Sequence, residues 1–84
     1  MKPFAFALLI GHNIKIWREL RSLKQDYLAR RLGISKSAMS NIENGKTEIT
    51  LSRAKVISEI FEIGFEDILS DPMEKLSRPE KFQQ

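Results

Sequence analysis

The stretch LKQDYLARRLGISKSAMSNIENGK, residues 23–46, contains two short helical patterns separated by a glycine. Apolar and small residues recur at helical spacing over residues 25–32, and Gly33 follows where a left-handed residue would end a helix. Ser35 has the chemistry of an N-cap for a second helix that runs to about Asn44. The sequence therefore predicts two helices joined by a turn of about three residues.

The spacing within this stretch is typical of a helix-turn-helix unit. Counted from Gln25 as position one, the small residue Ala29 stands fifth, where a second helix must cross closely, and Gly33 stands ninth. The fourth, eighth, tenth, fifteenth and eighteenth positions are apolar: Leu28, Leu32, Ile34, Met39 and Ile42. This pattern would pack one helix over the other, and Gly45 would end the second.

Apolar residues at helical spacing predict further helices on both sides of this unit. A first helix from Asn13 to near Ser22 would bury Ile14, Trp17 and Leu20. A fourth helix, opened by Thr50 or Ser52 and closed by Gly64, carries an apolar stripe of Leu51, Ala54, Ile57, Ile60 and Phe61. A short fifth helix would contain Phe65, Ile68 and Leu69. The predicted fold is all-α, with one compact domain over residues 13–69.

The two ends of the chain differ in composition from this domain. Residues 1–12 form an apolar extension containing FAFALLI, residues 4–10, whose spacing fits a strand or a helix. This run is too short to span a membrane, which takes about 20 apolar residues, and it lacks the cleavage context of a secretory signal. We therefore expect a cytoplasmic protein without membrane association. Residues 70–84 are polar and charged, which predicts a loosely held tail.

Length, cysteine content and charge limit the classes of function that this chain could have. A chain of 84 residues has room for one small domain, so a large enclosed active site is not expected. The absence of cysteine and the single His12 argue against a metal site, and we expect neither a cofactor nor enzymatic activity. Residues 1–46 carry nine Lys and Arg against three Asp and Glu, whereas residues 47–84 carry five against eight. The first part, at +6, is suited to facing a polyanion.

The stretch quoted above resembles the Cro/cI-type (XRE) family of helix-turn-helix DNA-binding regulators of bacteria and phages. The combination of Ser40, Glu43, Gly45 and Lys46 is among the family's most recognisable features. The resemblance implies a five-helix lambda-repressor-like domain in which helices 2 and 3 form the helix-turn-helix. It also implies a homodimer that binds a two-fold operator. Many members have Gln where this chain has Lys36, which changes the base that would be read but not the fold.

The third helix carries four polar residues suited to reading bases: Lys36, Ser37, Ser40 and Asn41. Ser and Asn are mediocre helix formers, so helix stability does not explain their presence. Their spacing projects all four from the N-terminal half of the helix toward one surface. Asn41 could bond bidentately to adenine, Lys36 could reach guanine O6 and N7, and the serines are permissive partners.

Contacts with the DNA backbone are expected from residues around this helix. Gln25 stands at the N-terminus of the second helix, where the helix dipole and free N–H groups attract phosphate. Asn44 and Lys46 stand at the exit of the third helix. The resemblance also pairs Arg18 with Glu43 across helices 1 and 3, as a structural ion pair that would leave Arg18 donors near the DNA backbone.

Other functions must be weighed against a DNA-binding repressor. A hydrolase is disfavoured because His12 has no acid or nucleophile at a telling spacing. A protein-binding adaptor could reuse the fold, but the +6 charge argues against it. An antitoxin would bind both its operator and a toxin or other protein partner, for which the FAFALLI run and the tail could serve. For a homodimer, we expect an interface formed by FAFALLI with Phe65 and Ile68.

Overall fold

The computed structural model describes residues 3–73, with side chains from residue 6 onward. Within this range the chain forms four complete α-helices and one short 3-10 helix, residues 72 and 73 are also helical, and no strand is present. The helices are α1 (Pro3–Leu20), α2 (Gln25–Leu32), α3 (Lys36–Glu43) and α4 (Leu51–Phe61), followed by the 3-10 helix (Phe65–Leu69). The prediction of an all-α fold is confirmed.

Local chemistry sets the turn between α2 and α3. Gly33 adopts the left-handed conformation, with φ 71° and ψ 31°, and its N–H bonds back to the carbonyls of Ala29 and Arg30. Ser35 is the N-cap of α3, and its hydroxyl accepts a hydrogen bond from the Ala38 N–H at 3.0 Å. The roles predicted for Gly33 and Ser35 are both confirmed, and each holds because it depends on one residue's own chemistry.

Helix α1 begins at Pro3, ten residues before the predicted start at Asn13. The FAFALLI run is therefore helical, and the extension predicted over residues 1–12 is, from Pro3 onward, part of α1. Proline fits the first position of a helix, where its missing N–H costs nothing. Ala7 and Ile10 are buried. Leu20, which was predicted to be buried, is exposed in the last turn.

Helix α4 begins where predicted but ends earlier. Thr50 caps it by accepting a hydrogen bond from the Arg53 N–H at 3.2 Å. The helix ends at Phe61 rather than near Gly64, because Glu62 adopts the left-handed conformation with φ 61°. The predicted inward stripe holds for its buried members, but Leu51 lies in the first turn and is 74% exposed.

The core joins α1 to all the other elements through its buried apolar residues: Ile10, Ile14, Trp17, Leu28, Ala29, Met39, Ile42, Ile57, Phe61 and Ile68. Two hydrogen bonds from α1 hold the 3-10 helix in place. The Asn13 Nδ2 donates to the Ile68 carbonyl at 2.9 Å, and the Trp17 Nε1 donates to the Asp67 carbonyl at 3.1 Å. Ile68 is buried in the core, so it is not part of the exposed apolar surface that was expected to form a dimer interface.

The predicted polar tail over residues 70–84 lies mostly outside the described residues. Of its first part, Pro72 is buried, and the Asp71 carboxylate accepts a hydrogen bond from the Met73 N–H at 2.9 Å. Among residues 3–73 there is no helix that combines the length and apolar character needed to cross a membrane.

Candidate nucleic-acid interface

The outward face of α3 carries the four residues predicted to read bases. Lys36 and Ser37 are exposed, and Ser40 and Asn41 are half-buried. The Ser40 hydroxyl accepts a hydrogen bond from the Asn44 Nδ2 at 3.3 Å. Within the described residues the side chains of Lys36, Ser37 and Asn41 make no hydrogen bond or ion pair. These three side chains are therefore available to a partner.

The chain leaves α3 through a turn whose backbone folds back onto the helix. The Asn41 carbonyl accepts hydrogen bonds from the N–H groups of Lys46, at 2.8 Å, and Thr47, at 3.4 Å. Gly45 takes the left-handed conformation, with φ 75°, that this reversal requires. The side chains of Asn44 and Lys46 remain exposed. The turn thus fixes the backbone while leaving the Lys46 ammonium group free to meet an anion.

Arg18 of α1 and Glu43 of α3 form a two-point ion pair. The Arg18 Nε lies 2.7 Å from Glu43 Oε2, and its second guanidinium nitrogen lies 3.2 Å from Oε1. The remaining guanidinium nitrogen donates to the Leu23 carbonyl at 2.8 Å. The pair is largely removed from water, since the side chains are 11% and 2% exposed. It joins the end of α3 to α1 and to the turn that precedes α2.

Gln25 is a third member of this network, which the sequence did not reveal. Its Nε2 donates to Glu43 Oε1 at 3.0 Å, so Arg18, Gln25 and Glu43 connect α1, α2 and α3. One amide hydrogen of Gln25 remains, because the group has two. The N-cap of α2 is Lys24, which forms no side-chain cap. The N-terminus of α2 therefore keeps donors that an anion could use.

For Arg18 the same network limits contact with DNA. All three guanidinium nitrogens donate within the protein, which leaves two of the five N–H groups. Any contact with a phosphate would depend on those two groups. Lys36 at the start of α3 and Lys46 just after its end are exposed, so their ammonium groups are more accessible than the Arg18 guanidinium.

The sequence interpretation did not assign a role to Gly11. It lies within α1, buried against the end of α3: a Cβ built on it would stand 2.2 Å from the Ile42 carbonyl oxygen. The available signal was a glycine inside a helical pattern, which often marks a close approach of two backbones. With a helix predicted to begin only at Asn13, Gly11 falls outside the helical pattern, and this signal is lost.

Comparison with known proteins agrees with this geometry. The model of a family described as helix-turn-helix matches residues 14–68. Antitoxin PezA of Streptococcus pneumoniae serotype 4 is 33% identical over 63 residues, which are 75% of this chain and 40% of that antitoxin. An uncharacterized HTH-type transcriptional regulator, MJ0272 of Methanocaldococcus jannaschii, is 37% identical over 57 residues, which are 68% of this chain and 86% of that regulator.

Among solved structures, the restriction-modification controller protein C.AhdI of Aeromonas hydrophila superposes with a TM-score of 0.74 at 19% identity. The match covers 81% of this chain and 99% of the controller protein. This likeness shows the shared fold. The family match over residues 14–68 establishes the class. The chain belongs to the Cro/cI-type (XRE) helix-turn-helix family, a family of DNA-binding regulators.

Proposed function

We propose that this protein is a sequence-specific regulator of transcription, a repressor, that binds double-stranded DNA as a homodimer. Helices α2 and α3 form the helix-turn-helix, and α3 enters the major groove. The observation that carries the proposal is the division of α3 into two faces. Its inner side is fixed by the Arg18–Glu43–Gln25 network, while Lys36, Ser37 and Asn41 point outward without internal partners.

Base reading is assigned to the outer face of α3. The Asn41 amide suits adenine, which offers one donor and one acceptor, and the Lys36 ammonium suits the two acceptors of guanine. Ser37 is exposed and can donate or accept. Ser40 is the fourth residue of this face, and its hydroxyl also holds the Asn44 side chain through a hydrogen bond of 3.3 Å.

Contacts to the DNA backbone are assigned to both ends of the unit. Gln25 and the N–H groups at the start of α2 face one phosphate, and Asn44 and Lys46 at the exit of α3 face another. Arg18 acts mainly through Glu43 and Gln25, with its two remaining N–H groups in reach of the backbone. Such contacts fix the register and make affinity depend on salt, without reading sequence.

The dimer interface is assigned to an apolar face of α1, α4 and the 3-10 helix. Phe6, Leu51 and Leu69 are exposed there around the half-buried Phe65, and all four line one small pocket of about 80 Å³. Exposed apolar patches of this kind mark interaction sites. In a dimer the two copies of α3 must enter successive turns of the same groove, so they should lie roughly 34 Å apart.

Selection from a genomic fragment library at moderate salt tests the main proposal. The protein should enrich fragments that share an inverted repeat whose half-sites are about one DNA turn apart. Enrichment of no common sequence would refute specific recognition. Enrichment of a single, non-repeated half-site would refute the homodimer while leaving base reading intact. A reporter gene placed behind the selected sequence then distinguishes repression from activation.

A charge in the apolar face tests the interface. Leu69→Lys should shift the protein toward monomer in sedimentation equilibrium, because it would bury an unpaired ammonium between two copies. Leu20→Lys is the matched control, since Leu20 is 44% exposed and Leu69 is 45% exposed, but Leu20 lies at the far end of α1. Equal dimer content in both variants would place the interface elsewhere.

An antitoxin that binds an operator and a toxin is the second candidate. One observation favours it: the 33% identity to the antitoxin PezA over 63 residues. The chain spans 40% of that antitoxin's length, so the similarity does not extend to the whole of it. If the neighbouring gene arrests growth when expressed alone, and this protein relieves the arrest, the antitoxin function is supported. A harmless neighbouring gene product would count against it.

A further inference from the structure

The N-terminal half of α1 lies directly against the end of α3. A Cβ added to Gly11 would stand 2.2 Å from the Ile42 carbonyl oxygen and 2.8 Å from that of Glu43. Both distances are below any contact that a real Cβ makes, and the neighbouring atoms are backbone. The two helices can therefore approach this closely only because residue 11 has no side chain.

The same half of α1 also covers the turn that follows α3. Gly45 is buried, and a Cβ built on it would stand 2.5 Å from the Leu8 Cδ2 and 2.8 Å from the Leu8 Cα. Leu8 therefore packs on the backbone of the turn that carries Asn44 and Lys46. Hydrogen bonds from the Lys46 and Thr47 N–H groups to the Asn41 carbonyl hold this turn to α3. Leu8 packs against the same turn at Gly45.

A small cavity lies between the N-terminal half of α1 and the segment that follows α3. Phe6, Ala7 and Ile10 line it from α1, and Thr47, Glu48 and Ile49 line it from the segment after α3. Residues 6–11 thus touch the chain from the last turn of α3 to the residues just before α4. They all lie outside residues 14–68, the part that matches the helix-turn-helix family.

We infer that residues 6–11 of α1 are a positioning element for the DNA-binding surface. They hold the end of α3 and the turn over residues 44–47 in the orientation in which Lys46 meets phosphate and Asn41 meets a base. Leu8 and Gly11 are the positioning residues. This inference rests on the proposed function, because it assigns to the element an effect on DNA binding that exceeds its effect on folding.

Leu8→Ala provides the first test, with Leu9→Ala as its matched control. Leu8 and Leu9 are adjacent leucines, 53% and 43% exposed, and Leu8 supplies the three atoms nearest to a Cβ built on Gly45. Affinity for the selected operator is measured at several salt concentrations, with the folded fraction and dimer mass measured in parallel. Leu8→Ala should weaken binding about 5- to 30-fold, a coupling usual for contacting groups. Its salt slope should fall by about one unit per half-site. Leu9→Ala should change affinity by about twofold or less.

A double-mutant cycle with Lys46→Ala shows whether Leu8→Ala weakens operator binding by displacing Lys46. If Leu8 acts by positioning Lys46, then Leu8→Ala should have little further effect, about twofold or less, once Lys46 is already Ala. Full additivity of the two changes would overturn the inference. A purely structural role for Leu8 would lower the unfolding temperature and leave the salt slope of the folded protein unchanged, which would also overturn it.

Gly11→Ala tests the contact with α3 itself. The added Cβ must displace the Ile42 carbonyl and tilt α3, so preference at the base pair read by Asn41 should change. If this variant fails to fold, the Leu8 comparison still decides the matter. Failure of the wild-type protein to select any operator would refute the proposed function. Selection by the wild-type protein with equal affinities for Leu8→Ala and Leu9→Ala would refute only the positioning role.

Discussion

Breaking the Arg18–Glu43 pair should destabilise the protein more than removing the whole pair. Arg18→Met removes the cation beside Glu43, whose side chain is 2% exposed in the wild-type protein, and leaves Gln25 Nε2 as the remaining side-chain donor. A charge left this way in the interior costs about 3–5 kcal/mol of unfolding free energy. Glu43→Leu removes the anion beside Arg18, whose side chain is 11% exposed in the wild-type protein, and leaves the Leu23 carbonyl as an acceptor. Its cost should lie near the lower end of that range, about 3 kcal/mol.

The double variant shows whether the loss of stability in the single variants comes from an unpaired buried charge or from lost packing. Arg18→Met with Glu43→Leu replaces both charges by apolar groups of similar volume, so its stability should lie within about 1–2 kcal/mol of wild type. The coupling free energy between the two sites is then several kcal/mol in favour of the pair. Glu19→Leu is the control for removing an acidic residue from exposed helix surface, and it should change stability by about 0.5 kcal/mol or less.

Urea unfolding followed by the fluorescence of Trp17, the single tryptophan, measures all four variants. With a denaturant slope of about 1 kcal/mol per molar, a loss of 3 kcal/mol lowers the midpoint by roughly 3 M. Equal losses below about 1 kcal/mol in both single variants, adding up in the double variant, would refute the reasoning. They would mean that water or neighbouring groups satisfy each charge without its partner.

Three further predictions concern single residues. Glu62→Gly should stabilise the protein by about 1 kcal/mol in thermal unfolding, because Glu62 has a φ of 61° that glycine adopts without strain. The same change at Glu59, within α4, should instead destabilise by about 1 kcal/mol, and equal effects at the two positions would contradict the account. Ser35→Ala should cost about 1 kcal/mol in urea unfolding through the lost cap on α3. Ser37→Ala, on the exposed face, should cost much less, and a cost equal to that of Ser35→Ala would be the contrary result. Lys46→Ala should lower the salt slope of operator binding by about one unit per half-site, and an unchanged slope would remove Lys46 from the backbone contacts.

Features that depend on one residue's chemistry were predictable from the sequence. Gly33 ends α2 and Ser35 begins α3 because a left-handed glycine and an N-cap hydroxyl act over three or four residues. The expected pairing of Arg18 with Glu43 came from the resemblance to a family, and the structure places their charged groups 2.7 Å apart. The role of Gln25 in that network could not be read from spacing, since it depends on how α2 and α3 cross.

Features that depend on distant contacts were not predictable. The spacing of the FAFALLI run fits a strand or a helix equally well, and in the helix that forms, Leu8 packs against Gly45 in the turn after α3. Glu62 ends α4 before Gly64 does, because the chain must turn immediately after the buried Phe61. The exposure of Leu51 and the burial of Ile68 likewise reflect which faces the other helices cover, and periodicity alone does not identify those faces.

Competition binding across every single-base variant of the selected operator tests the central claim, that α3 reads bases while its surroundings hold the backbone. Asn41→Ala should weaken binding to the preferred operator by about 1–3 kcal/mol per half-site and relax selectivity at one base pair. Gln25→Ala should weaken binding to all sequences by similar factors and leave base preference unchanged. If Asn41→Ala instead weakens every sequence equally while Gln25→Ala alters base preference, α3 does not lie in the groove as proposed.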